Sequence, residues 1–233
     1  MCAKLNPIVI AGITCGWNLT WCSIGDQEWK ECRSNGKYLN VTFHNGKLYA
    51  INLNCDKIDI FRVDNDQQKL ILLDTICVTF PTVSRRSDIF DVYLVESKGS
   101  LLVVKRNYDY GALIHPTIGF DIFKVQERIS GDSPHLLVNV ESLEDQALFF
   151  SGLFYESLSA KDCPGLRGNR IYFIGHQGGN VDSEFGLFSL EEGIIFREPI
   201  HDYPINPPIW LLPRYVFECN CKCHPSTMWR PTN

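Results

Sequence analysis

Apolar residues along this chain fall in short runs rich in Val, Ile, Leu, Phe and Tyr, each closed by Gly, Asn, Asp or Pro. β-Branched and aromatic side chains suit an extended, pleated backbone, and the closing residues supply the dihedral angles of tight turns, so the pattern predicts strands and no extended helix. The clearest hairpin is Tyr38–Leu53, where Asn45-Gly46 separates VTFH from KLYAINL. Asn-Gly accepts the positive φ of a type I′ turn. Ile58–Val63 and Lys69–Thr75 follow across the polar segment DNDQQ and complete a set of four consecutive antiparallel strands. A second set (DVYLVES, SLLVVKR, FDIFKVQ, LLVNVES) spans Asp91–Ser142, with Lys98-Gly99 at its first turn. A third (QALFFSG, RIYFIGH, FGLFSLE, GIIFREP) spans Gln146–Pro199.

The sets repeat. KLYAINL, SLLVVKR and RIYFIGH occupy one position, and IDIFRV, FDIFKV and FGLFSL the next, with Phe61, Phe123 and Phe188 recurring at intervals of 62 and 65 residues. A recurring four-stranded meander is the sequence sign of propeller blades. Three more strands are expected before the first set, in IVIAGIT, LTWCSIG and the stretch around Trp29, and one after the third, in PPIWLLP (Pro207–Pro213), which would complete the first blade. The expected fold is therefore all-β, a propeller of about four four-stranded antiparallel blades, with an incomplete or open ring as a variant. A β-sandwich or barrel is the rival. Residues 1–213 form the propeller in this reading, and 214–233 an unstructured cysteine-containing tail.

With 45% hydrophobic and 12% aromatic residues over 233 positions, the chain can bury a sizeable core. Its net charge of −5 is scattered, and the one basic run, Arg85-Arg86, is too short for phosphate binding, so nucleic acid is not an expected partner. No apolar stretch reaches the length of a membrane helix. Pro7–Cys15 has the length of a signal-peptide core but only Lys4 precedes it and no small-x-small cleavage site follows, which favours an intracellular protein. Seven cysteines (Cys2, Cys15, Cys22, Cys32, Cys55, Cys77, Cys163) are dispersed beside apolar residues and read as buried free thiols of a reducing compartment. The sequons at Asn18 and Asn40 point weakly the other way.

Ser142–Gly152 (SLEDQALFFSG), Ser157–Phe173 (SLSAKDCPGLRGNRIYF), Phe185–Gly193 (FGLFSLEEG) and Pro207–Pro213 resemble the C-terminal half of the plant F-box-associated β-propeller family, the KIB-type propellers catalogued as domain of unknown function 295. NPIVIAGITCGWNLTWCSIGDQEWKEC and HNGKLYAINL resemble its middle, so the similarity runs in order to about Pro213. The resemblance implies a propeller that recruits substrates for a cullin-type ubiquitin ligase through an F-box ahead of it. Only Met1–Asn6 precede the first expected strand, so direct binding of the ligase adaptor is not expected. Within the shared motifs, Pro164, Gly165 and Gly168 read as punctuation of a long loop, Trp210 between Pro208 and Pro213 as a buried anchor, and Asp26 with Trp29 as a turn carboxylate beside an aromatic blade edge.

Chemistry-bearing motifs are sparse. No nucleophile elbow, zinc-protease helix, phosphate-binding loop or dinucleotide fingerprint occurs. His44, His115, His135, His176, His201 and His224 are isolated and default to surface or hydrogen-bonding roles. Asp91, Asp121 and Glu184 lie near strand starts, and two of them facing a central channel would suit a glycosidase-like hydrolase. Strand-end acids more often cap turns. Cys219, Cys221, Cys223 and His224 alternate along CNCKCH, which in extended form would put three sulfurs on one face as a soft-metal set, although closed zinc sites favour Cys-x-x-Cys pairs. The expected function is accordingly protein binding without catalytic residues, cofactor or metal, against a hydrolase or an inactive family copy. Replacing Cys219, Cys221 and Cys223 together with Ser is expected to leave the melting temperature within a few degrees, whereas loss of a structural zinc site would lower it far more.

Overall fold

The computed structural model describes residues 8–32, 36–64, 69–80, 90–109, 116–127, 135–151, 154–174 and 184–199. They form four sheets arranged as a four-bladed β-propeller, with no helix among the described residues. The first blade holds β1 (Val9–Ile13), β2 (Leu19–Ser23) and β3 (Lys30–Glu31). The second holds β4 (Tyr38–His44), β5 (Lys47–Asn52), β6 (Lys57–Asp64) and β7 (Lys69–Cys77), and the third β8 (Phe90–Ser97), β9 (Ser100–Tyr108), β10 (Thr117–Glu127) and β11 (His135–Asn139). The fourth holds β12 (Gln146–Ser151), β13 (Phe154–Ser159), β14 (Arg170–Ile174), β15 (Glu184–Ser189) and β16 (Ile194–Pro199). β1 packs on β4, β4 on β8 and β8 on β13, so these are the inner strands.

Second strands of the later blades are apolar along nearly their whole length because both faces of their sheets are covered. β5, β9 and β12 are almost continuously buried, while the outer β11 is half exposed. Tyr49, Ile51, Ile58, Ile60 and Ile76 of the second blade meet Val92, Leu94, Leu101, Val103 and Phe123 of the third. The opposite face of the third blade, with Tyr93, Leu102, Val104 and Phe120, meets Leu148, Phe150, Ile171 and Phe173 of the fourth. Leu19 of the first blade packs with Tyr38, Leu48 and Phe61 of the second. Both expected tight turns are present: φ is +48° and +72° at Asn45-Gly46, and +50° and +73° at Lys98-Gly99, as a type I′ turn requires.

β5, β9 and β14 are each third from the outer edge of their sheets, the equivalence expected from the repeat. The fourth blade departs from a simple meander. β12 pairs antiparallel with β13 on one side and parallel with β14 on the other, giving a five-stranded sheet. The long loop read at Pro164, Gly165 and Gly168 is present ahead of β14, but the strand before it, β13, was not expected. The chain then crosses over the blade, where Cys163 and Leu166 pack on Ala147, Phe149 and Leu158. Gly165 takes φ +88° in this crossover. Gly168 serves differently, since a Cβ there would lie 2.6 Å from the Glu144 carbonyl oxygen. Alternation of apolar residues cannot separate parallel from antiparallel pairing in a sheet covered on both faces, which is why the crossover escaped the pattern.

Other expectations also change. Of the six described cysteines, all free, only Cys55 is buried, while Cys22, Cys32 and Cys163 are half-buried and Cys15 and Cys77 exposed; Cys2 lies outside the described residues. Asn40 is buried and its Oδ1 accepts the Leu94 N–H at 2.8 Å, so that sequon offers no exposed amide. Asp26 accepts from the Ser23 N–H and from Lys30, and it is Lys30 that reaches an aromatic ring, 4.7 Å over Trp21, while Trp29 is exposed. PPIWLLP with Trp210, the Cys219–His224 tail, and His115, His176 and His201 lie outside the described residues.

Phe150 is fully buried and its ring lies 4.7 Å from that of Tyr93 in the neighbouring blade. Phe150→Ala is expected to cost about 3–5 kcal/mol. Leu72→Ala on the exposed outer β7 should change stability by less than about 0.5 kcal/mol. Urea midpoints at unchanged slope test both.

Candidate functional site

The contact between third and fourth blades carries the richest polar chemistry, and its two ends differ. At the start of β8, Asp91 faces Arg106 on β9. Arg106 is buried and donates through Nε and Nη2 to Thr117 Oγ1, at 2.9 and 2.7 Å, and through Nη1 to the Ile174 carbonyl of the fourth blade at 3.4 Å. Its guanidinium lies 4.8 Å from the Phe173 ring centroid. A buried guanidinium is tolerated only when hydrogen bonds replace its hydration, and of these bonds the one to Ile174 joins the third blade to the fourth. Asp91 accepts from Tyr108 Oη and, at 3.4 Å, from Tyr93 Oη. Burial, with the Asp91 charge second, pushes the Tyr93 hydroxyl up to about 12, and burial likewise raises Tyr108. These hydroxyls stay protonated and donate.

The channel carboxylates do not converge. Asp91 shares a blade face with Arg106 and Phe120, toward the fourth blade. Asp121 lies opposite Lys105 on the other face, toward the second blade, and accepts from Asn107 Nδ2 at 2.8 Å. The side chain of Glu184 lies outside the described residues. Toward the axis, Tyr155 of β13 donates to the Val41 carbonyl of β4 at 2.9 Å, and burial raises its hydroxyl to about 12. His44 contacts Asn45 Nδ2 at the hairpin tip, and His135 Nδ1 lies 3.5 Å from Asp74 Oδ2, joining the outer strands of the third and second blades. Among the described residues no group of three or more His, Cys, Asp or Glu side chains could hold a metal ion.

At the opposite end, where the Lys98-Gly99 turn projects, a cavity of about 540 Å³ opens between β8 and the β12–β13 hairpin. Glu96, Lys98, Glu156 and Asp162 stand around it, and Gln146, Ser157 and Leu158 are its buried wall. The wall is held by hydrogen bonds: Ser97 Oγ and Ser157 Oγ are 2.7 Å apart, and Ser157 Oγ donates to Gln146 Oε1 at 3.1 Å. A second concavity of about 300 Å³ adjoins it and shares Lys98 and Gln146. Lys98 spans the divide, binding Glu144 at 2.7 Å and Asp145 at 3.1 Å, while Lys161 meets Asp145 at 3.2 Å.

Neither feature was singled out from the sequence. Arg106 had one available signal, a charged residue near the end of the apolar run SLLVVKR, which in a sheet covered on both faces demands a buried partner. The groove had none, because its walls come from two different repeats.

Lys98 above all, then Gln146 and Lys161, hold the Asp145 carboxyl well below its ordinary 3.8. A carboxylate whose folded value lies below its unfolded one adds stability that is complete above the unfolded value and disappears as pH falls through the folded one. The gap in urea midpoint between wild type and Asp145→Asn is therefore expected to be open at neutral pH and to close progressively below pH 3.8.

Among solved structures, a luciferin-regenerating enzyme is similar at 11% identity with a TM-score of 0.37, covering 80% of this chain and 54% of that one. The chain thus spans about half the length of that enzyme, and so distant a likeness carries no argument about activity. No curated protein matches. The KIB1-4 beta-propeller family model matches residues 4–196, most of the chain and all four described blades almost to the end of β16. With four propeller sheets in place and this match along them, the chain belongs to the KIB1-4 beta-propeller family.

Proposed function

We propose that this propeller is a protein-binding module and not an enzyme, and that it recognises its partner at the junction of the third and fourth blades. The observation that carries the reading is the pair of adjoining concavities on the Lys98-Gly99 end, polar at the rim and backed by a buried wall. A recognition surface needs positioned polar groups on a rigid frame, and propeller loops on packed blades supply both. The separation of Asp91 from Asp121 on opposite faces of one blade supports the non-catalytic side of the proposal, since glycoside hydrolysis needs two facing carboxyls. Substrate recruitment for a ubiquitin ligase, implied by the resemblance to F-box-associated propellers, is the biological setting we favour, with the propeller supplying recognition. Free thiols at six described cysteines and the buried Asn40 amide support an intracellular setting.

Affinity purification of the tagged chain with mass spectrometry tests the proposal when run beside two variants. A partner captured by wild type should be lost from the charge reversal Glu156→Lys/Asp162→Lys and kept by Lys69→Glu on the outer strand of the second blade. Equal capture by both variants would move the binding surface elsewhere.

A further inference from the structure

We infer that the outer face of the first blade is the contact surface of a two-fold homodimer, covered by the same face of a second copy of this chain. This surface is separate from the junction of third and fourth blades, and the inference stands independently of what binds there. Strands β1 and β2 alternate between two environments. Leu19, Trp21 and Ser23 of β2 are buried, and Ile13 and Ala11, opposite the first two, pack with Leu19 against Tyr38 and Leu48 of the second blade. The residues between them point the other way, with Ile10 opposite Cys22 and Gly12 opposite Thr20. Ile10 is 46% exposed. Ile8 and Ile24 extend the ladder through a hydrogen bond from the Ile24 N–H to the Ile8 carbonyl at 2.8 Å, and they are 67% and 63% exposed. Among the described residues no core cluster includes any of these three isoleucines.

The fourth blade, at the other end of the series, roofs its own outer face, because its crossover lays Cys163 and Leu166 over Ala147, Phe149 and Leu158. The first blade has no such roof among the described residues. Grouped apolar side chains left in water on one sheet face mark an interface. Charge and shape together select the occupant. Among the described residues of β1–β3, Glu31, opposite Thr20 on the outer strand, is the one charged residue in register with this face, since Lys30 pairs with Trp21 on the buried side. The centre of the face is therefore neutral and does not repel a copy of itself. Its relief is also self-complementary. A Cβ on Gly12 would meet nothing within 4 Å, so Gly12 leaves a dent two residues from the Ile10 ridge. A two-fold axis sets Ile10 of each copy into the dent at Gly12 of the other, the isologous arrangement of most homodimers. Two such faces bury on the order of 1,000 Å² in total, the lower end for a specific interface, and association in the micromolar range follows.

Sedimentation equilibrium of the full chain from about 1 to about 100 μM should show a monomer–dimer equilibrium that added salt does not weaken, as apolar contact requires. Ile10→Lys should raise the dissociation constant at least about tenfold. Gly12→Val should do the same by filling the dent, with a side chain that suits a strand and meets no neighbour within the monomer. Phe196→Lys, on the exposed outer strand of the fourth blade, should leave the constant unchanged. Melting transitions at a concentration where the wild type is monomeric should coincide for all three variants. A monomer throughout the range, a dimer indifferent to Ile10→Lys or to Gly12→Val, or equal loss of the dimer in Phe196→Lys would each overturn the inference. Oligomers that grow past the dimer would overturn it in favour of a head-to-tail contact between first and fourth blades. A monomer that Ile10→Lys destabilises by several degrees would overturn it in favour of a cover supplied by another segment of the same chain.

Discussion

The second and third sheets are covered on both faces, and the packing of one blade on the next is what covers them. A twisted sheet of four strands offers two apolar surfaces, and leaving one in water would forfeit about 25 cal/mol for each Å² of it. The third blade shows the solution most fully: alternate residues of β8 and β9 face the second blade, and those between them face the fourth. Tyr93 and Phe120 on one side and Phe123 on the other are anchors of these seams. The polar features depend on this packing. Arg106 is surrounded because the seam is closed around it, and the Lys98 groove exists because two hairpins are held side by side at the seam's end.

Much of this was legible in the sequence, for identifiable reasons. Asn45-Gly46 and Lys98-Gly99 encode their turns through the positive φ that those dipeptides accept, so the hairpins and their register could be read locally. The repeat of Phe61, Phe123 and Phe188 marks equivalent faces of successive blades, since each is buried against a neighbour. What stayed hidden depends on contacts distant in sequence. The parallel pairing of Ala147–Ser151 with Arg170–Ile174 and the place of β13 as innermost strand of the fourth blade leave no periodic trace. The proposed site belongs to the same class, with Glu96 and Lys98 in one repeat and Glu156 and Asp162 in another.

The two ends of the seam divide the electrostatic labour. At the Asp91 end a buried cation is satisfied internally by Thr117 and the Ile174 carbonyl, and the tyrosines around it are kept protonated. At the Lys98 end the charges stand nearer solvent, with Lys98 bound to Glu144 and Asp145 and Lys161 bound to Asp145. Fixed, compensated charge gives rigidity where the blades meet, while the exposed pairs at the other end are screened by solvent and contribute little to stability.

The hydroxyl of Tyr155 reaches the Val41 carbonyl from the innermost strand of the fourth blade to that of the second. These two blades are not sequence neighbours, so the bond acts as a cross-brace on the ring. Asn40, on the same inner strand as Val41, also bonds this hydroxyl. A net contribution of about 1 kcal/mol per bond makes this a direct tie between the second and fourth blades that does not pass through the third.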